Sequence, residues 1–111
     1  DHMRDVARRV ALAGHEALAI DFLSPAGGTP ADADKAREMI SKLDLAEAVG
    51  HAALLIGNHA EATGGRVGAV GFCWGGAFVN RLAVAAGAEL DAGVSYYGPA
   101  PDPAEAAKVE A

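Results

Sequence analysis

Val67-Gly68-Ala69-Val70-Gly71-Phe72-Cys73-Trp74-Gly75-Gly76 is the stretch on which the reading of this chain turns. A short apolar run, 67–70, leads directly into Gly71-x-Cys73-x-Gly75, and residues 77–86 then read as a helix that is apolar on most faces. Such a helix is usually buried. Glycine, nucleophile, glycine between a strand and a helix is the nucleophile-elbow pattern, with Cys in the place of the commoner Ser. Small residues at the flanking positions let the strand turn sharply into the helix, where larger side chains would meet neighbouring chain. The helix N-terminus then sets partial positive charge beside the sulfur, which favours a thiolate. It also aims the backbone N–H of Trp74 at the oxyanion of a tetrahedral intermediate. The residues alone leave two readings open: a catalytic Cys73, or a buried structural thiol whose glycines serve helix–sheet packing. A dinucleotide-binding turn does not fit, because Gly71 is followed two residues on by Cys73 rather than Gly, and no Walker pattern occurs.

Working outward, Val6, Val10 and Ala13 recur at helical spacing over residues 5–13, and Gly14 is placed to end that helix in a left-handed conformation. Ala17-Leu18-Ala19-Ile20 is short and apolar, the pattern of a strand buried on both faces in a parallel sheet. Residues 24–30 form a breaker-rich loop. Thr29 reads as an N-cap, with Pro30 at the first helical position and Asp32 in the first turn of a helix running to about Lys42. Asp44 with Glu47 three residues later caps a longer helix, whose face is Leu45, Val49, Ala52 and Ile56 and which fades near Ala62. Residues 92–97 read as a third strand, and Asp102, Pro103 and Glu105 as the start of a short last helix. The alternation predicts an α/β fold: a single domain with a mostly parallel sheet and flanking helices.

The composition agrees with a packed core, at 51% hydrophobic and 22% charged residues. A formal net charge of −6 with no basic run gives no nucleic-acid footprint. No apolar stretch approaches the ~18 residues of a membrane helix, so no membrane partner is expected. One cysteine can form no internal disulfide and has no resolving partner for a redox switch. Together with the absence of a signal peptide after Asp1, this points to a cytoplasmic setting. His51 and His59 are eight apart, not three or four, and no metal spacing is present.

Gly71-Phe72-Cys73-Trp74-Gly75-Gly76 is similar to the elbow of the dienelactone hydrolase family. Four other stretches resemble that family, and in its order. They are Asp5-Val6-Ala7-Arg8-Arg9 with Ala13-Gly14, Ala17-Leu18-Ala19, the Gly28-Thr29-Pro30 loop, and Val94-Ser95-Tyr96-Tyr97-Gly98. The resemblance implies an α/β-hydrolase fold and a Cys-His-Asp triad without a cofactor. It implies a small-molecule lactone or ester as substrate, a cyclic enol-lactone in the family itself. Cys73 would be the nucleophile and the Trp74 N–H an oxyanion donor. Tyr96 either lines the pocket or packs at the strand end. Arg37 is the nearest match to the family's carboxylate-binding arginine, although its loose spacing reads better as a solvated helix residue. The triad Asp and His lie after the elbow in chain order. Asp91 and Asp102 come too early for the acid, and His2, His15, His51 and His59 all precede Cys73. Residues 1–111 are thus expected to be the central part of one α/β-hydrolase domain. They would lack its N-terminal strands and its C-terminal part, and would be inactive alone. The alternative is a non-catalytic module of the same fold. The oligomeric state is left open.

Overall fold

The computed structural model describes residues 2–110. The chain divides into two units, residues 1–43 and 44–111.

In the first unit, α1 (His2–Leu12) and α2 (Ala33–Ser41) are joined by an irregular connection with a 3₁₀ turn at Ser24–Ala26. Gly14 follows α1 with φ 96°, the left-handed stop expected of it. Neither helix buries a residue; Leu23 in the connection is buried. Two expectations fail here. Residues 15–20 form no strand, and Leu18 is 74% exposed, Ile20 43%. A strand exists only through its ladder partners, and among the described residues nothing pairs with this run. The second failure is the cap of α2, which is Asp32 and not Thr29: Asp32 accepts from the Lys35 N–H at 2.9 Å. Thr29 is held by Asp21 instead, its hydroxyl donating to Oδ1 (2.8 Å) and its N–H to Oδ2 (3.0 Å). The Leu23 N–H donates to the same carboxylate at 2.9 Å. These bonds, that of the Thr29 hydroxyl foremost, hold the Asp21 carboxyl below its ordinary value.

The second unit contains α3 (Leu45–Thr63), β1 (Gly68–Phe72), α4 (Trp74–Ala86), a 3₁₀ turn (Gly87–Glu89), β2 (Ala92–Tyr96) and α5 (Pro103–Ala106). Asp44 caps α3 as its spacing suggests, accepting from the Glu47 N–H at 3.0 Å. β1 and β2 pair in parallel, Gly68 opposite Ala92 and Phe72 opposite Tyr96. Asp91 tightens the entry to this ladder: Val67 donates its N–H to Oδ2 (2.8 Å) while the Asp91 N–H donates to the Val67 carbonyl (2.9 Å).

The pleat sorts the strand residues onto two faces. Ala69, Gly71, Gly93 and Ser95 share one face, and their small size lets α4 approach closely: a methyl on Gly93 would lie 3.2 Å from Val79 Cγ1. Val70, Phe72, Val94 and Tyr96 share the other, where all but the half-buried Phe72 are exposed. The core lies on the helical side. Ala48, Val49, Ala52 and Ile56 of α3 meet Phe78, Val79, Leu82, Ala83 and Ala86 of α4, and Leu90 is fully buried at the entry to β2. The helix pair and the parallel ladder are those of an α/β architecture.

Candidate active site

β1 ends at Phe72 and α4 begins at Trp74, so Cys73 alone makes the turn. Its backbone is at φ 56°, ψ −115°, a region that residues with a Cβ rarely occupy. Two hydrogen bonds hold it there. The Cys73 N–H donates to the Tyr96 carbonyl (2.9 Å), carrying the ladder one residue past the strand end. The Cys73 carbonyl accepts from the Ala77 N–H (3.1 Å), opening the helix. Cys73 is exposed in these 111 residues. α4 starts three residues earlier than its apolar pattern suggests, because Gly75 and Gly76 fall in its first turn.

The glycines divide unequally. A Cβ on Gly71 would collide with the carbonyl of Gly75 and come within 2.9 Å of the Gly76 nitrogen. On Gly76 it would lie 2.8 Å from Ser95 Oγ and 2.9 Å from the Tyr96 carbonyl oxygen. On Gly75 it would meet nothing. The expectation of a steric demand on both sides of Cys73 therefore holds at Gly71 and fails at Gly75. The demand falls on Gly76, where α4 crosses the end of β2.

Aromatic rings gather around this turn. Phe72 and Tyr96, directly opposite in the ladder, stack with centroids 4.9 Å apart and planes 11° from parallel. Tyr96 remains half exposed, so it both packs at the strand end and presents a surface. Tyr97 cannot continue β2, because its φ is 43°; its ring stands out 77% exposed, 6.4 Å from Phe72. Trp74 turns its ring to Phe78 at 5.4 Å.

The second unit thus brings Cys73, Trp74 and Tyr96 together. Arg37 belongs to the first unit, on α2, where its guanidinium donates to Asp34 at 3.1 Å in full solvent. All four histidines are exposed. Among the described residues no cluster of His, Cys, Asp or Glu could hold a metal ion, and no helix is long and apolar enough to cross a membrane. An open groove of about 560 Å³ runs along α3, but Cys73, Trp74 and Tyr96 are absent from its lining.

Reasoning from the sequence missed Asn80, Ser95 and Gly98. Asn80 Nδ2 donates to the Pro99 carbonyl at 2.7 Å and lies 3.4 Å from Ser95 Oγ. A Cβ on Gly98 would collide with the backbone of Gly76 and Ala77. The available signal was the i, i+4 pair Gly76 and Asn80, one small and one polar on an otherwise apolar helix.

The sequence model that describes the Dienelactone hydrolase family matches residues 1–111, the whole chain. The chain belongs to that family. Its fold is accordingly that of an α/β-hydrolase, and the family is one of hydrolases. Over 43 residues, 39% of the chain, the sequence is 54% identical to a protein of Escherichia coli (strain K12) titled "Putative hydrolase fragment YghX". That match spans 37% of the relative's length.

Proposed function

We propose that this member of the dienelactone hydrolase family is a thiol-dependent hydrolase of a lactone or ester, with Cys73 as its nucleophile. The observation that carries the reading is the exposed thiol at φ 56°, held in that conformation at the N-terminus of α4. Backbone strain of this kind persists only where surrounding structure enforces it, and it clusters at reactive sites.

In the proposed reaction Sγ, as thiolate, attacks the carbonyl carbon, and the C=O electron pair moves onto oxygen. The first-turn amide of Trp74 stabilises that oxyanion. Collapse breaks the C–O bond to the leaving oxygen, which takes a proton, and leaves a thioester on Cys73. Water then adds to the thioester and expels the thiolate as the carboxylic acid forms. A histidine and an aspartate from outside these 111 residues manage the protons, since the four histidines here precede the turn. In this reading residues 1–111 are the central part of one larger α/β-hydrolase domain. Phe72, Tyr96 and Tyr97 offer flat apolar surface to an unsaturated ring, and the exposed bond of Arg37 to Asp34 favours a solvated helix residue.

The test is hydrolysis of an enol-lactone and of p-nitrophenyl acetate by the natural full-length protein and its Cys73→Ala variant. Complete loss of turnover in the variant, with stoichiometric iodoacetamide labelling of Cys73 in the parent, is expected. Turnover at the parent's rate by Cys73→Ala would overturn the proposal and favour a non-catalytic role for the turn.

A further inference from the structure

Asn80 is a polar side chain of α4 that reaches across to the end of β2. Its amide nitrogen must be the group facing Pro99, because a carbonyl oxygen can only accept. The loop it grips is unusual. Tyr97 is at φ 43° without being glycine, and Gly98 sits so close to the first turn of α4 that no side chain fits. Ser95, the other group near Asn80, also faces Gly76, one turn earlier on the same helix face. The segment 95–99 is therefore pinned at Ser95, Gly98 and Pro99, all three against α4. Within that segment lies the Tyr96 carbonyl, the acceptor of the Cys73 N–H.

We infer that Asn80 is a positioning residue. By clamping residues 95–99 onto α4 it keeps the Tyr96 carbonyl bonded to the Cys73 N–H, and so holds Cys73 in its strained conformation. The inference rests on the reading of Cys73 as nucleophile, but the placement of the sulfur can be measured without turnover. Release of the clamp lets Tyr97 relax to negative φ, turns the Tyr96 carbonyl away and frees Cys73 to relax with it. The sulfur then leaves its place at the helix N-terminus.

Three variants test this in the natural full-length protein. Asn80→Asp keeps the shape and loses the donor. Asn80→Leu removes the donor while keeping apolar packing, and stays informative if the aspartate variant fails to fold. Asn80→Gln keeps an amide donor on a longer arm. The readouts are the alkylation rate of Cys73 by iodoacetamide, followed by mass spectrometry, and kcat and KM on p-nitrophenyl acetate. Displacements of about 1 Å can cost about a hundredfold in rate. For Asn80→Asp and Asn80→Leu, alkylation and kcat are expected to fall about tenfold while KM changes by less than about twofold, the pattern of a misplaced nucleophile. Asn80→Gln should recover part of both. Folded Asn80→Leu that alkylates and turns over at the parent's rates overturns the inference, as does a rise in KM at unchanged kcat. Cys73→Ala, run alongside, separates the two readings. If it retains turnover, the nucleophile reading falls, and the alkylation rates still decide whether Asn80 places the sulfur.

Discussion

Replacing Gly71 by alanine puts one methyl group into space already filled by the Gly75 carbonyl, with the Gly76 nitrogen 2.9 Å away. Overpacking by single groups commonly costs about 1–3 kcal/mol where neighbouring side chains can rotate aside. Here the obstacle is backbone, locked from two sides by the Cys73 bonds to Tyr96 and Ala77. The cost should therefore reach the top of that range, about 3 kcal/mol. Gly75→Ala is the matched control. It adds the same methyl four residues on, where nothing lies within 4 Å. Alanine in place of glycine within a helix contributes up to about 1 kcal/mol of stability. The two substitutions should thus differ by about 4 kcal/mol, in opposite directions from the parent. Equilibrium urea unfolding reads this, followed by the fluorescence of Trp74, the only tryptophan of these 111 residues. Gly71→Ala within about 0.5 kcal/mol of the parent, the range of an ordinary surface change, would refute the steric argument. Equal losses for both variants would refute the assignment of the demand to Gly71.

Leu90, fully buried, should lose about 3 kcal/mol as Leu90→Ala, measured by the same unfolding titration; a loss under about 1 kcal/mol would mean that the entry to β2 collapses around the cavity. Asp32→Ala should fray the start of α2 at a cost of about 1 kcal/mol while Thr29→Ala leaves it intact, read from amide exchange at Lys35; the reverse order would return the cap to Thr29. The Asp21 carboxyl, lowered by the Thr29 and Leu23 bonds, supports its loop fully above the ordinary carboxylate range and loses that support as pH falls through its depressed value. The Thr29 amide resonance should follow that titration and stop doing so in Asp21→Asn; an unchanged titration in the variant would reject the assignment.

How much was legible follows from how far each feature reaches along the chain. The Asp44 cap is a contact three residues long, and the turn at Cys73 is written in consecutive glycines, so both are visible locally. The cap of α2 was not. Thr29 and Asp32 are both good caps in isolation, and what decides between them is Asp21, eight residues before Thr29. Residues 17–20 have strand composition, yet a strand is a property of a pair, and the partner is not in the pattern. At the site, Cys73 stood out by its flanking glycines and Tyr96 by the family resemblance of its Tyr-Tyr-Gly. The hold of Asn80 on Pro99 spans 19 residues and leaves no periodic trace, so only the fold brings it into view.

All five residues of β2 are exposed, and from Ala92 to Gly98 the chain carries neither charge nor proline. Soluble proteins usually guard such a run with a lysine, a bulge or a covering helix. Among the described residues its second edge pairs with no strand; wherever no further chain covers it, such an edge is a template on which like strands can add, and the Val94, Tyr96 face is the kind that interlocks in stacked sheets. Self-association then competes with folding at a rate that rises with concentration. Dilute, cold handling and a lysine at Ala92 are the simple remedies. Among the described residues, the ladder that holds Cys73 in place is thus also an edge open to strand addition.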